Sequence, residues 1–255
     1  MRILMIGDVI GKPGRRAVKS LLPGIRAEHG IDLVIANGEN TAGGFGLTQE
    51  TAYELLDSGV DVLTSGNHIW DQKEIIPHMD EGLPLIRPAN YPDAPGRGYM
   101  VAQGVMVMNL MGRVFMPALD CPFRTATRIL EETRDSAPKV IILDFHAEAT
   151  SEKQAMGWYL DGRVSAVFGT HTHVGTVDAR VLPKGTGYLT DVGMTGPVDS
   201  VIGSETGPVL ERFLTGMPQR LPVGGGQVVM NSVLLEVDSD TGKALAVERI
   251  DRAEN

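Results

Sequence analysis

Five short apolar runs in this chain each end on side chains able to bind a cation. They are Arg2-Ile3-Leu4-Met5-Ile6-Gly7-Asp8, Leu33-Val34-Ile35-Ala36-Asn37-Gly38-Glu39-Asn40, Val62-Leu63-Thr64-Ser65-Gly66-Asn67-His68, Val140-Ile141-Ile142-Leu143-Asp144-Phe145-His146 and Val164-Ser165-Ala166-Val167-Phe168-Gly169-Thr170-His171-Thr172-His173. Open α/β sheets bind ligands where their strands release the chain at their carboxyl ends. Five strands ending in this way would bring carboxylates, amides and imidazoles to one rim, which is the requirement of a metal site.

The segments between these runs carry helical periodicity. The first third alternates strand 2–7, helix Pro13 to Glu28, strand 32–36, helix Thr48 to Ser58, strand 61–64 and a short helix Asp71 to Met79. Such alternation implies a mainly parallel sheet with helical crossovers. From Leu85 to Gln103 the chain is rich in Pro, Gly and Asn, and Val105 to Leu110 is apolar without helical period, which predicts shorter antiparallel strands. A helix from about Pro122 to Asp135, strand 140–144, helix 151–160 and strand 164–168 follow. Beyond His173 the pattern predicts strands at 179–182 and 187–190, a Gly-rich irregular stretch to Gly226, and strands 227–237 and 244–250 around the turn Asp238-Ser239-Asp240-Thr241-Gly242-Lys243. With no repeat, low-complexity segment or clean linker, residues 1–255 read as a single domain.

Composition narrows the partners. Twenty-three basic against 32 acidic side chains leave a net charge of −9, with no Lys/Arg run. This argues against a stable duplex-binding surface driven by phosphate neutralisation. A small phosphorylated ligand fits, because bound cations invert the local field. The one cysteine, Cys121, rules out an internal disulfide and a thiolate cage, and reads as a small hydrophobe. No apolar run approaches a membrane span, and the N-terminus opens into a strand pattern, so the expected protein is soluble and cytoplasmic. A homo-oligomer is compatible with all of this.

His171 and His173 lie two apart beyond a strand, so both rings can face one way. Two such histidines alone are as well explained by hydrogen bonding or solvation. Four of the six histidines, however, fall at strand ends beside Asp8, Glu39 and Asn67. Oxygen and imidazole donors without sulfur suit Mn, Fe or catalytic Zn. A carboxylate can bridge two cations roughly 3.5–4 Å apart, the spacing of two-metal phosphatases.

The motifs Gly7-Asp8, Gly38-Glu39-Asn40, Gly66-Asn67-His68, His146 and Gly169-Thr170-His171-Thr172-His173 resemble, in order, those of the calcineurin-like metallophosphoesterases. Arg87-Pro88-Ala89-Asn90-Tyr91 and Thr190-Asp191-Val192-Gly193-Met194-Thr195-Gly196-Pro197 extend the likeness nearly end to end with the YmdB-like bacterial phosphodiesterase branch. The resemblance implies a four-layer α/β/β/α sandwich. It also implies hydrolysis of small cyclic nucleotides of the 2′,3′-cyclic class by a dinuclear centre with a metal-bridging hydroxide nucleophile. By position, Asp8 and His173 would hold the first metal, and Asn67, His146 and His171 the second. Glu39 would bridge the two, and His68 would act as general acid.

Three departures from the wider superfamily stand out. Asp8 is followed by Val9 and Ile10 rather than Asp-x-His, so one first-metal position is left to Asn40 or a water. The bridging acid is Glu rather than Asp. The residue after His68 is Ile69 rather than an acid, which leaves open what orients the ring. Gly7-Asp8-Val9-Ile10-Gly11-Lys12-Pro13 follows a strand, but it has three residues between its glycines and Pro13 where a phosphate loop has Ser or Thr. Gly43-Gly44-Phe45-Gly46 and Gly224-Gly225-Gly226 read as turns, the first close enough to Glu39 to border a pocket. Met5, Met106, Met108 and Met111 read as core filler, and His29 and His78 as helix-end residues. The competing functions are a phosphomonoesterase or nucleic-acid-end hydrolase, the latter disfavoured by the acidic balance, and a non-enzymatic regulator stabilised by metal.

Overall fold

In a computed structural model describing residues 1–254, side-chain alternation along the strands decides the layering. The first sheet is ordered β14-β13-β1-β3-β4, and the second β5-β6-β7-β8-β10-β9. The first contains β1 (Arg2–Ile6), β3 (Leu33–Asn37), β4 (Val62–Thr64), β13 (Ser232–Val237) and β14 (Ala244–Arg249). The second contains β5 (Tyr99–Ala102), β6 (Val105–Met111), β7 (Val140–His146), β8 (Ala166–Thr170), β9 (Arg180–Val181) and β10 (Gly187–Leu189). A third, short sheet joins β15 (Arg252–Ala253), β12 (Val228–Met230), β11 (Met194–Pro197) and β2 (Asp8–Val9).

Successive strand residues face opposite ways. Ile3, Met5, Leu33 and Ile35 therefore meet Val105, Val107, Val140, Ile142 and Phe168 in a cluster that contains no helix residue. The alternate residues Leu4, Ile6, Val34 and Ala36 pack on Val18, Leu22 and Ile25 of α1 (Gly11–His29) and on Ala52 and Leu55 of α2 (Gln49–Asp57). Met106, Met108, Leu143 and Phe145 pack on Ala126 and Ile129 of α3 (Pro122–Glu132) and on Met156 and Leu160 of α4 (Thr150–Leu160). Met5, Met106, Met108 and Met111 are all buried, as filler would be.

Helix α2 begins where its sequence directs: Thr48 caps it, with the Thr51 hydroxyl answering the Thr48 amide in a capping box. The parallel pairs β1·β3, β3·β4 and β7·β8 match the expected crossovers. β6, expected as a shorter antiparallel strand, pairs antiparallel with β5 but runs seven residues parallel to β7, because the helical crossover α3 returns the chain in the same direction.

Several expectations need correction. The segment from Asp71 to Met79 is a 3₁₀ turn, Lys73–Met79, with Pro77 inside it. The stretch up to Gly226 is not irregular throughout. It holds β11 and α5 (Thr206–Thr215), a helix with only Val209 buried, which weakens its apolar signal. Strand 227–237 is two strands broken at Asn231, because β12 joins the third sheet and β13 the first. Strand β8 starts later than predicted and runs through Thr170, so His171 is the first residue off it.

The loop after β8 is held from beneath. His171 and His173 have φ of 100° and 64°, left-handed values uncommon outside glycine. Between them Thr172 donates its amide (3.2 Å) and hydroxyl (2.8 Å) to Asp191 Oδ2. Buried Lys153 of α4 ion-pairs with that same oxygen at 2.5 Å and donates to the Thr170 carbonyl at 2.8 Å. Removing one partner of a buried pair strands the other's charge. Lys153→Met should therefore lower unfolding stability by about 3–5 kcal/mol. Denaturant titration checks this, and an unchanged midpoint would show that the pair carries no load.

Candidate metal centre

The candidate ligands arrive from both large sheets. Asp8, Glu39 and Asn67 follow β1, β3 and β4 of the first sheet, while His146 ends β7 and His171 follows β8 of the second. The rim foreseen for one sheet is therefore a seam between two. β2 fixes Asp8 at this seam by pairing in parallel with β11, Asp8 opposite Met194.

Four side chains converge on one point. His146 Nε2 lies 3.1 Å from Glu39 Oε1, 3.0 Å from Asn67 Oδ1 and 3.0 Å from His171 Nδ1. A ligand atom of each of Glu39, His146 and His171 lies within 4.8 Å of the others. A second group adjoins it, with His173 Nε2 3.8 Å from Asp8 Oδ1 and 3.3 Å from Asn40 Nδ2. Asn40 Nδ2 also donates to Glu39 Oε1 at 3.4 Å, so Glu39 touches both groups. All seven residues read from the sequence as metal ligands are thus assembled in one place. Asn40 stands beside His173.

This donor set fits cations. Asp8 and Glu39 are fully buried, and Asp8 Oδ1 has no hydrogen-bond partner. An orphaned buried carboxylate oxygen is costly unless something positive meets it. Burial pushes the Asp8 carboxyl up from its ordinary range, His173 and His146 opposing. Burial also disfavours ionised Glu39, but the adjacent His146 ring outweighs it and holds the carboxyl down. The reverse holds for His146: burial favours the neutral ring, while Glu39 and then Asp8 hold its pKa up. The His171 ring is pushed down to about 3 by burial and by His146 beside it. The carboxylates thus favour the charged ring of His146 while burial favours the neutral ring of His171, and a cation beside the carboxylates can take the place of that proton. Gly66 is indispensable in this packing, since a Cβ there would collide with the His146 ring and lie 2.5 Å from Glu39 Oε2.

Behind the ligands lies a polar support that the motifs did not disclose. His146 Nδ1 meets the Thr170 hydroxyl at 2.9 Å, and that hydroxyl donates to Asp144 Oδ1 at 2.7 Å. Asp144 also accepts from Thr64 and, at 3.3 Å, from Asn37 Nδ2. Its burial raises its pKa to about 6. Glu148 Oε2 lies 3.0 Å from His171 Nε2. Such partners fix the tautomer and direction of a ligand ring.

His68 stands apart from the converging donors. Its amide donates to Glu39 Oε2 at 3.0 Å, and its ring meets Phe45 edge-on with centroids 5.1 Å apart. Nδ1 lies 2.8 Å from Asp71 Oδ2, so the acid that orients the ring is three residues on rather than next in sequence. The turn between them folds back through an Asp71 amide to His68 carbonyl bond of 3.0 Å, a signal that the spacing His-x-x-Asp carries. Glu39, Asn40, His68, Glu148, His171 and His173 line a cleft of about 800 Å³, with Gly44 and Phe45 on its border.

Comparison with known proteins agrees with this geometry. A family model described as YmdB-like protein matches residues 4–250. A Bacillus subtilis protein named 2′,3′-cyclic-nucleotide 2′-phosphodiesterase is 49% identical over 255 residues, covering 98% of this chain and 96% of its own. The crystal structure of a hypothetical protein from Thermus thermophilus superposes with a TM-score of 0.93 at 46% identity, covering 100% of both chains. That of a Mycoplasma pneumoniae protein called a novel phosphatase gives a TM-score of 0.93 at 35% identity, covering 100% of this chain and 94% of its own. Matched across nearly its whole length in sequence and in fold, the chain belongs to the YmdB-like family.

Proposed function

We propose that this chain is a metal-dependent phosphodiesterase that opens 2′,3′-cyclic nucleotides. The observation that carries the reading is the convergence of buried carboxylate and imidazole donors beside His68, a histidine that is not one of them. The Bacillus subtilis relative's name supplies the substrate class. The fold completes the proposal. Three apolar clusters, one between two sheets and one beneath each helical face, support a four-layer α/β/β/α order within one domain.

Asp8 and His173 would hold one cation, with Asn40 next to them. Asn67, His146 and His171 would hold another, and Glu39 would reach both. Fe or Mn suits this oxygen and imidazole set best, and Zn also fits. Bound cations supply positive charge that acidifies water and offsets the charge growing on the phosphate oxygens. The protein does the rest. Asp71 engages Nδ1 of His68, which leaves Nε2 to carry the proton given to the departing ribose oxygen. Phe45 and the amide bond to Glu39 keep the ring from turning away.

Metal-replete protein should hold two transition-metal ions per chain by elemental analysis. A count near one would overturn the dinuclear reading. At 100 times its Kd a metal should stabilise the fold by about 2.7 kcal/mol, or roughly 5–10 °C in Tm for a chain of this size. A chelated sample melting at the same temperature would contradict that. Glu39→Gln should lose far more metal and activity than Asn40→Ala. Equal losses would make Asn40 a principal ligand.

Proton donation is tested by leaving group. His68→Ala should slow cyclic-nucleotide hydrolysis by about 10²–10⁴. It should spare a nitrophenyl phosphodiester, whose leaving group departs unprotonated. Asp71→Ala should show the same selectivity at about 10–100-fold. Equal loss on both substrates with metal retained would assign His68 to the phosphorus centre, and loss of metal would make it a ligand.

A further inference from the structure

A second cavity, of about 740 Å³, adjoins the catalytic cleft and is built with different chemistry. The two share Phe45, Arg212, Leu221 and Val223, so they form one continuous surface. Glu39 and Glu148 line the first, whereas the second is lined by Lys12, Arg212 and Arg220 and by no carboxylate. Arg2, Arg15, Arg16, Arg26, Arg128, Arg249 and Arg252 are all held in carboxylate pairs. Lys12, Arg212 and Arg220 make no ion pair among the described residues, on a chain whose net charge is −9. Three cations gathered around a hollow without a counter-charge repel one another unless an anion joins them.

We infer that this cavity receives a second phosphate, and that the preferred substrate is the 3′ end of a short single-stranded ribo-oligonucleotide bearing a 2′,3′-cyclic phosphate. The inference rests on the proposed phosphodiesterase and extends it. The cyclic phosphate lies at the donor cluster beside His68, and the internucleotide phosphate next along the strand reaches Lys12, Arg212 and Arg220. Phe45 stands at the junction, 39% exposed, with a ring edge already fixed by His68. A cationic groove with an aromatic platform is how proteins hold single strands without reading sequence, because every base offers a face to stack on. A hollow of 740 Å³ exceeds the needs of a lone phosphate and lies in the range that buries a ligand of nucleotide size or more. The overall acidity, which disfavours extended nucleic-acid surfaces, is locally reversed at this spot. Lys12 belongs to the run after β1 that fails as a phosphate loop. Its side chain serves phosphate binding here without that loop's backbone cradle.

The experiment compares four metal-replete substrates: a 2′,3′-cyclic mononucleotide, its 5′-phosphorylated form, and a dinucleotide and a trinucleotide ending in a 2′,3′-cyclic phosphate. Each is assayed with wild type and with Lys12→Gln/Arg220→Gln, both exposed positions whose unchanged Tm confirms folding. Wild type should favour the dinucleotide over the mononucleotide in kcat/KM by about tenfold from one charge-assisted contact. It should favour the dinucleotide over the 5′-phosphorylated mononucleotide by about fivefold or more, from stacking of the extra base on Phe45. The double variant should remove that preference while leaving the mononucleotide rate in place. Salt should weaken the dinucleotide reaction more steeply, by about 0.7 in log–log slope per phosphate engaged. Equal wild-type rates on mono- and dinucleotide, or equal losses on both in the variant, would overturn the inference. A 5′-phosphorylated mononucleotide matching the dinucleotide would also overturn the oligonucleotide assignment. Failure of wild type on all four would instead sink the phosphodiesterase reading itself.

Discussion

Everything at the functional end of this molecule depends on how two buried carboxylates are compensated. Asp8 and Glu39 are both sealed from water, and an isolated ionised carboxylate is not tolerated in such surroundings. The His146 ring 3.1 Å away favours ionised Glu39, while Asp8 Oδ1 has no hydrogen-bond partner and only the His173 ring 3.8 Å off. The neighbouring structure serves to keep these charges close. β11 pairs with β2 at Asp8, Gly66 clears room for Glu39 and His146, and Asp144 with Thr170 backs the histidine. Stability is given up locally so that charge can be concentrated where phosphate chemistry needs it.

The proposed function divides labour between the residues that gather charge and His68, which would handle a proton. Asp8 and His146 sit on strands and the other gathering residues lie a few residues past strand ends, where the sheets beneath limit their movement. His68 lies on a turn, yet its amide bond to Glu39, its edge contact with Phe45 and its bond to Asp71 restrain it from three directions. The ring is thus tied to the donor cluster through the carboxylate it adjoins.

Much of this was legible in the residues themselves, for identifiable reasons. Strand ends such as Asn67-His68 and Thr170-His171 were readable because buried parallel strands form short apolar runs and the first polar residues after them lie at the rim. The start of a helix near Thr48 was readable because helical periodicity is local. What escaped was non-local or weakly patterned. That the ligands divide between two sheets depends on sheet packing, which no single run encodes. Helix α5 was missed because one buried residue, Val209, makes no stripe, and the break at Asn231 was missed because both flanking strands are apolar. Asp71 and Glu148 meet ring nitrogens of His68 and His171, and Asp144 reaches His146 only through the Thr170 hydroxyl, a link its place two residues before His146 does not disclose. Of the three, only the His68-to-Asp71 spacing carries a local signal.

The division of the donors between two sheets has a consequence for cohesion. His146 and His171 belong to one slab, Asp8, Glu39 and Asn67 to the other, and elsewhere the slabs meet through side chains that are apolar and without direction. Hydrophobic faces fix how far apart two slabs lie but only weakly forbid them to slip along each other. The Asp144 bonds to Thr64 and Asn37 act as a shear pin at one edge of that interface, and ions held between the proposed ligands would add to it. Metal affinity and the alignment of the halves would therefore be coupled, each biasing the other. A substitution deep in the inter-sheet core, far from any proposed ligand, would then change how tightly the ions are held.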